Sequence, residues 1–92
     1  MQITGSRTLS ARELQDANRH YYDSLWSGAR LVEPRLFNTW PLVQSLLSCS
    51  SARLEVAPGL RPRLPLEDTQ FVDISGPALG KLRARGASVV MG

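Results

Sequence analysis

The sequence is poor in the residues that usually mark a disulfide-bonded, metal-binding or membrane protein. Its 92 residues include one cysteine and one histidine. A lone cysteine excludes an internal disulfide and a cysteine-rich metal cluster, so we expect no metal site. No run of about 18 apolar residues occurs, which predicts no membrane-spanning helix. Residues 1–15 lack the apolar centre of a secretory signal, and the expected location is therefore cytoplasmic.

Lysine is also scarce, because ten of the 11 basic residues are arginine. With 8 acidic residues the net charge is +3. The basic residues are scattered along the sequence, and no block of about five or more of them occurs. The densest groups are Arg61 with Arg63, and Lys81 with Arg83 and Arg85. This composition permits an arginine-rich interaction or nucleic-acid-binding module, but the spacing does not favour nucleic acid as a partner.

Residues 1–50 are predicted to form an N-terminal helical segment. Ser10 and Glu13 have the spacing of a capping box, which marks the start of a first helix. Apolar residues then recur at helical intervals up to a predicted end near Ser27. These residues are Leu14, Ala17, Tyr21 and Leu25. A second helix is predicted over residues 39–48, with Pro41 in the first turn, where its missing N–H breaks no hydrogen bond.

Residues 51–92 change to a strand pattern. Short apolar and β-branched runs predict three strands, over residues 53–57, 70–74 and 87–91. Strands separated by crossovers pair in parallel. The predicted fold is therefore α/β, with two helices followed by about three parallel strands.

The connections between these strands are predicted to differ. Ser75 is the expected cap of a helix between the second and third strands, and Gly86 is its expected end. The connection between the first and second strands contains Pro58, Pro62 and Pro65. Because proline interrupts helices, this crossover is predicted to consist of turns.

Two acidic residues and a glycine turn are predicted at the same edge of the sheet. Glu55 lies in the first strand, Gly59 in the turn after it, and Asp73 near the end of the second strand. Open parallel sheets bind ligands at the carboxyl ends of their strands. A carboxylate offers two acceptor oxygens, so Asp73 suits the two neighbouring hydroxyls of a ribose. The small residues Ala57 and Gly59 would let a ligand approach the backbone.

These segments resemble the N-terminal part of the class I S-adenosylmethionine-dependent methyltransferases, whose cofactor domain is Rossmann-like. The family's first motif, E/D-x-G-x-G-x-G, corresponds to residues 55–61, which read Glu-Val-Ala-Pro-Gly-Leu-Arg. The family's second acidic position corresponds to Asp73. The resemblance covers roughly residues 20–92 and makes residues 51–92 the first part of the S-adenosylmethionine-binding domain.

The resemblance implies a site for S-adenosyl-L-methionine and methyl transfer to a small-molecule acceptor. In such a site the glycine turn cradles the methionyl part, with Glu55 ordering the turn. Asp73 binds the ribose hydroxyls and Ile74 packs on the adenine. The implied cofactor-binding residues are Glu55, Ala57, Pro58, Gly59, Asp73, Ile74 and Ser75. No catalytic residue is identified.

The sequence departs from the family pattern in two respects. Gly59 is the one motif glycine present, because Ala57 and Arg61 stand at the other two positions. The family's sheet has seven strands, whereas about three are predicted here. We therefore expect an incomplete sheet in a truncated chain that is inactive alone. Unpaired sheet edges also predict self-association.

A dinucleotide-binding fragment is another class that a glycine turn and a ribose-binding acid indicate. NAD is less favoured, because Pro62 stands where G-x-G-x-x-G requires a small residue for helix–strand packing. The short crossover also offers no long helix whose N-terminus could bind a pyrophosphate. Three hypotheses remain: a methyltransferase fragment, an NAD-binding Rossmann fragment and a non-enzymatic arginine-rich module.

Overall fold

The structure is a computed structural model that describes residues 8–92, so the prediction that residues 1–15 form no secretory signal lies partly outside it. Over the described residues the chain forms three α-helices, one 3₁₀ turn and three strands. In chain order these are α1 Ala11–Ser27, the 3₁₀ turn Pro34–Leu36, α2 Trp40–Leu47, β1 Arg53–Val56, β2 Thr69–Asp73, α3 Gly76–Ala84 and β3 Ser88–Met91.

The strands form one open parallel sheet in the order β1-β2-β3. Glu55 lies opposite Phe71 in the first pair of strands, and Phe71 lies opposite Val89 in the second pair. The predicted α/β class and parallel pairing are confirmed. Because all three strands point the same way, their carboxyl ends lie at one edge of the sheet.

The predicted caps of the first and third helices are also observed. The Ser10 hydroxyl accepts from the Glu13 N–H at 3.1 Å, and the Glu13 carboxylate accepts from the Ser10 N–H at 3.3 Å. This reciprocal capping box starts α1. Ser75 caps α3, and Gly86 follows that helix with φ +90°. Residues 57–68, between β1 and β2, contain turns and no helix, as the prolines predict.

The buried core lies on one face of the sheet, under α3. Phe71 and Leu82 are fully buried within it, and the core also contains Leu60, Leu66, Ala78, Leu79 and Ala87. Side chains on successive strand residues point to opposite faces. On the other face Leu54 is 59% exposed and Val56 is 67% exposed. The sheet is therefore covered on one face within the described residues.

The apolar side chains that recur at helical intervals along α1, its apolar stripe, are mostly exposed. Leu14, Tyr21 and Leu25 are all exposed, and α1 has no fully buried residue. Trp26, near its C-terminal end, is the α1 residue that packs against the core. Periodicity identifies the helix correctly, but the stripe it marks does not face the sheet. Within residues 8–92, no helix is both long enough and apolar enough to cross a bilayer.

Self-association of the chain is expected to depend on β1, an edge strand of the described sheet that carries exposed apolar side chains. Sedimentation velocity should show an average mass that rises with concentration. Replacing Leu54 and Val56 together with lysine should weaken this rise, because charged side chains oppose strand-to-strand contact. Both side chains are already exposed, so the free energy of unfolding should change by less than about 1 kcal/mol.

Leu42→Lys on α2 is the matched control, because it places a charge on an exposed leucine away from the sheet. It should leave the association unchanged. A wild-type chain that remains monomeric over the whole concentration range would contradict the expectation.

Candidate functional site

A cavity of about 230 Å³ lies at the carboxyl edge of the sheet. Its walls come from the ends of β1 and β2, the residues after them, the last two turns of α1, and Gly92. The lining residues are Tyr22, Trp26, Val56, Ala57, Gly59, Val72, Asp73, Ile74 and Gly92. Four of the seven residues predicted for cofactor binding line this cavity, namely Ala57, Gly59, Asp73 and Ile74. Glu55, Pro58 and Ser75 do not.

Asp73 connects the two loops that form the edge of the cavity. Its carboxylate is buried, with 6% of the residue exposed. Oδ2 accepts a hydrogen bond from the Gly59 N–H at 2.8 Å, and Oδ1 accepts from the Ser75 N–H at 3.0 Å. A carboxylate has about four acceptor positions, so two remain after these bonds. Asp73 can thus hold the loops together and still accept two hydroxyl groups.

The turn after β1 keeps a glycine-like backbone even where glycine is absent. Ala57 has φ +58° and Gly59 has φ +55°, both in the left-handed region. That region is costly for a residue with a Cβ atom. The Ala57 N–H donates to the Val72 carbonyl at 2.7 Å, which ties the start of the turn to β2. Two of the three motif glycine positions therefore have the conformation that glycine favours.

The indole of Trp26 lies directly on Gly59. A Cβ atom built on this glycine would overlap the Cζ2 and Cε2 atoms of the indole. The space that a side chain would occupy at position 59 is therefore already filled by Trp26. Tyr22, four residues earlier on α1, lines the same cavity. Residues four apart lie on the same face of a helix, so this face of α1 covers the cavity.

Lys81 fixes the end of α1 against α3. Its Nζ donates to the carbonyl oxygens of Trp26, Ser27 and Ala29 at 2.8, 3.0 and 2.7 Å. These bonds use all three ammonium donors. They also place a positive charge at the negative end of the helix dipole, which stabilises α1. The chain's single lysine therefore holds Trp26 near the glycine turn.

Glu55 has a different set of partners from the cavity residues. Its carboxylate accepts from the N–H of Arg63 at 3.0 Å and from the N–H of Leu64 at 2.9 Å. Both donors belong to the proline-rich crossover. Burial raises the pKa of Glu55, and the hydrogen bonds from Leu64 and Arg63 together with the Arg63 charge oppose this rise. Glu55 therefore orders the crossover and does not line the cavity.

Pro58 and Ser75 are buried next to the cavity and support its walls. The Pro58 carbonyl accepts from the Arg61 N–H at 3.0 Å, closing the turn that contains Gly59. The Ser75 hydroxyl accepts from the Ala78 N–H at 3.4 Å at the start of α3. Pro58 and Ser75 therefore stabilise segments next to two lining residues, Gly59 and Ile74.

The cavity is mostly apolar and carries one charged group among its described lining residues, the Asp73 carboxylate. Such a lining suits a flat apolar ring together with hydroxyl groups. Residues 8–92 contain no group of three histidine, cysteine or acidic side chains placed to hold a metal ion. The sequence offered one sign of the aromatic cover, the four-residue spacing of Tyr22 and Trp26. It offered none for Lys81, whose partners are more than 50 residues away.

Comparisons of the chain with protein-family models, with curated proteins and with solved structures found no match.

Opposite stability effects are expected at the two left-handed positions of the turn. Ala57→Gly should stabilise the fold by about 0.5 kcal/mol, because relief of roughly 1–2 kcal/mol of strain exceeds the extra freedom gained by the unfolded chain. Gly59→Ala should destabilise it by about 2 kcal/mol or more, because strain adds to overlap with the Trp26 indole.

Urea unfolding of the two variants measures both effects. In a Trp26→Ala background the loss caused by Gly59→Ala should shrink, because the overlap is gone. Destabilisation by Ala57→Gly would show that position 57 is not strained.

Glu55→Gln should remove a pH dependence of stability. Burial raises the pKa of Glu55 in the folded state above 4.5, its ordinary value. The folded state therefore keeps this proton to higher pH than the unfolded state. The stabilisation from the protonated group is complete below pH 4.5 and is lost as the pH rises through the raised pKa.

The free energy of unfolding of Glu55→Gln, relative to that of the wild type, should accordingly increase from about pH 4 to about pH 7. Glu67→Gln, at an exposed position, is the control and should keep the wild-type profile. A difference between Glu55→Gln and wild type that does not change with pH would contradict this assignment.

Proposed function

We propose that residues 51–92 are the first part of a Rossmann-like cofactor domain of an S-adenosylmethionine-dependent methyltransferase that acts on a small-molecule acceptor. The observation that carries this proposal is the hydrogen bond from the Gly59 N–H to the Asp73 carboxylate, with an N···O distance of 2.8 Å. It joins the acid at the end of the second strand to the glycine turn after the first strand. The ligand-binding edge of an open parallel sheet is built from these two loops.

The order of elements supports the proposal. Strands β1, β2 and β3 lie side by side in chain order, and α3 crosses from β2 to β3 over the core face. One half of a doubly wound sheet has this arrangement. The left-handed backbone at Ala57 and Gly59 adds a second, independent match to the glycine motif.

The residues present fit the nucleoside part of the cofactor. Val72 and Ile74 offer an apolar surface for the base, and Asp73 retains acceptor positions for two ribose hydroxyls. When bound, S-adenosyl-L-methionine supplies an electrophilic methyl group on a sulfonium centre. The described residues would bind and orient its nucleoside, and we assign none of them a catalytic role. Methyl transfer also requires an acceptor held in line with the methyl group.

The competing functions have less support. A dinucleotide needs a helix N-terminus after the glycine turn for its pyrophosphate, and residues 57–68 contain no helix. A nucleic-acid interface needs unpaired basic side chains on one face, yet several arginine side chains contact groups within the chain. Arg53 donates to the Glu67 carbonyl, Arg63 lies over the Phe37 ring, and Arg85 pairs with Glu33.

Asp73→Asn is expected to weaken binding of S-adenosylhomocysteine about tenfold or more in calorimetric titrations. Asparagine replaces one of the two carboxylate oxygens with an NH2 group, so the N–H of either Gly59 or Ser75 loses its acceptor. The amide group also offers fewer acceptors to a ribose. The free energy of unfolding should fall by about 1–3 kcal/mol. The titrations are therefore run well below the midpoint of thermal unfolding.

Asp68→Asn is the matched control, because Asp68 is 89% exposed and its left-handed backbone suits asparagine. This variant should bind like the wild type. NADH should give no saturable heat. Tight NADH binding, or equal binding by both aspartate variants, would count against the proposed function.

A further inference from the structure

Trp26 occupies the surface that a long ligand would need. Its indole lies against Gly59, where even a single added carbon would overlap it. The base and ribose positions near Val72, Asp73 and Ile74 form the other part of the cavity. Ligand atoms that extend from the ribose across the glycine turn would therefore meet the indole.

The size of the cavity agrees with this division. Its volume is about 230 Å³, below the roughly 300–1,000 Å³ common for sites of drug-sized ligands. A nucleoside requires less room than a nucleoside that carries an amino-acid chain. With Trp26 in its observed place, the cavity offers space mainly to the smaller ligand.

Helix α1 is held in this position by few contacts. It has no fully buried residue, and Leu14 in its first turn and Tyr21 farther along are exposed. Its C-terminal turn is held by Trp26 on the core and by the three bonds from Lys81. The place of the indole therefore depends on Lys81, and the helix end is the part that would have to move.

Building on the proposed function, we propose that Trp26 is a specificity-determining residue that selects ligands by length. While Lys81 holds α1, the indole covers Gly59 and the cavity accepts adenosine directly. S-adenosylhomocysteine, which has the same nucleoside and an added amino-acid chain, binds only when the indole is displaced. Lys81 acts through Trp26 and is a positioning residue.

The displacement is observed by fluorescence. In a Trp40→Phe background Trp26 is the single tryptophan of the chain. S-adenosylhomocysteine should shift its emission to longer wavelength and increase its quenching by acrylamide, because the indole moves into water. Adenosine should bind without that shift. An identical response to both ligands would overturn the inference.

Affinities give the second test. Trp26→Ala should bind S-adenosylhomocysteine about tenfold more tightly than wild type, while the affinity for adenosine stays within about threefold of wild type. Because Trp26→Ala removes core packing, Lys81→Met is the second variant. It keeps the indole and frees the helix end. Like Trp26→Ala, it should tighten the binding of S-adenosylhomocysteine and leave the affinity for adenosine nearly unchanged.

Arg83→Met is the control for Lys81→Met, because Arg83 lies on α3 and is exposed. It should leave both affinities unchanged. Weaker binding of S-adenosylhomocysteine to Trp26→Ala, or an equal change for both ligands, would overturn this inference and leave the proposed function standing. Absence of binding of either ligand to every folded variant would overturn the proposed function and this inference with it.

Discussion

The buried carboxylate of Asp73 is the constraint on which the candidate site depends. A charged group taken out of water is stable only when hydrogen-bond donors replace the lost hydration, and here the N–H groups of Gly59 and Ser75 do so. The two donors come from different loops. Their common acceptor therefore sets the distance between the glycine turn after β1 and the start of α3. The cavity lies at the edge formed by these two loops, and the C-terminal end of α1 covers it.

The remaining structure is arranged around this edge. The core under α3 fixes β2, and β2 presents Asp73 at its end. The crossover from β1 is short, and Glu55 holds it through the N–H groups of Arg63 and Leu64. Lys81, on α3, holds the end of α1 through a hydrogen bond to the Trp26 carbonyl. One-sided burial of the sheet leaves the apolar residues Leu54 and Val56 of β1 exposed.

Local features were predictable from the sequence because their causes are local. Ser10 with Glu13 starts α1, Ser75 starts α3, and the prolines keep a helix out of the first crossover. The strand pattern also predicted the edge at which Asp73 lies. The exact place of Trp26 over the glycine turn was not predictable, because it depends on Lys81, which is 55 residues away. The partners of Glu55 were missed for a related reason. A strand pattern assigns a residue to a face of the sheet but does not show which backbone donors a proline-rich loop brings to that face.

We propose that the sheet edge held by Asp73 binds an adenosyl ligand. This binding can be measured by titrating the ¹⁵N-labelled chain with S-adenosylhomocysteine and following the amide chemical shifts. We expect saturable shifts concentrated at Gly59, Asp73, Ile74 and Gly92, with smaller changes at the exposed residues of α2. A dispersed spectrum of the folded chain that does not change on addition of the ligand would contradict the claim, and so would shifts confined to residues outside the cavity.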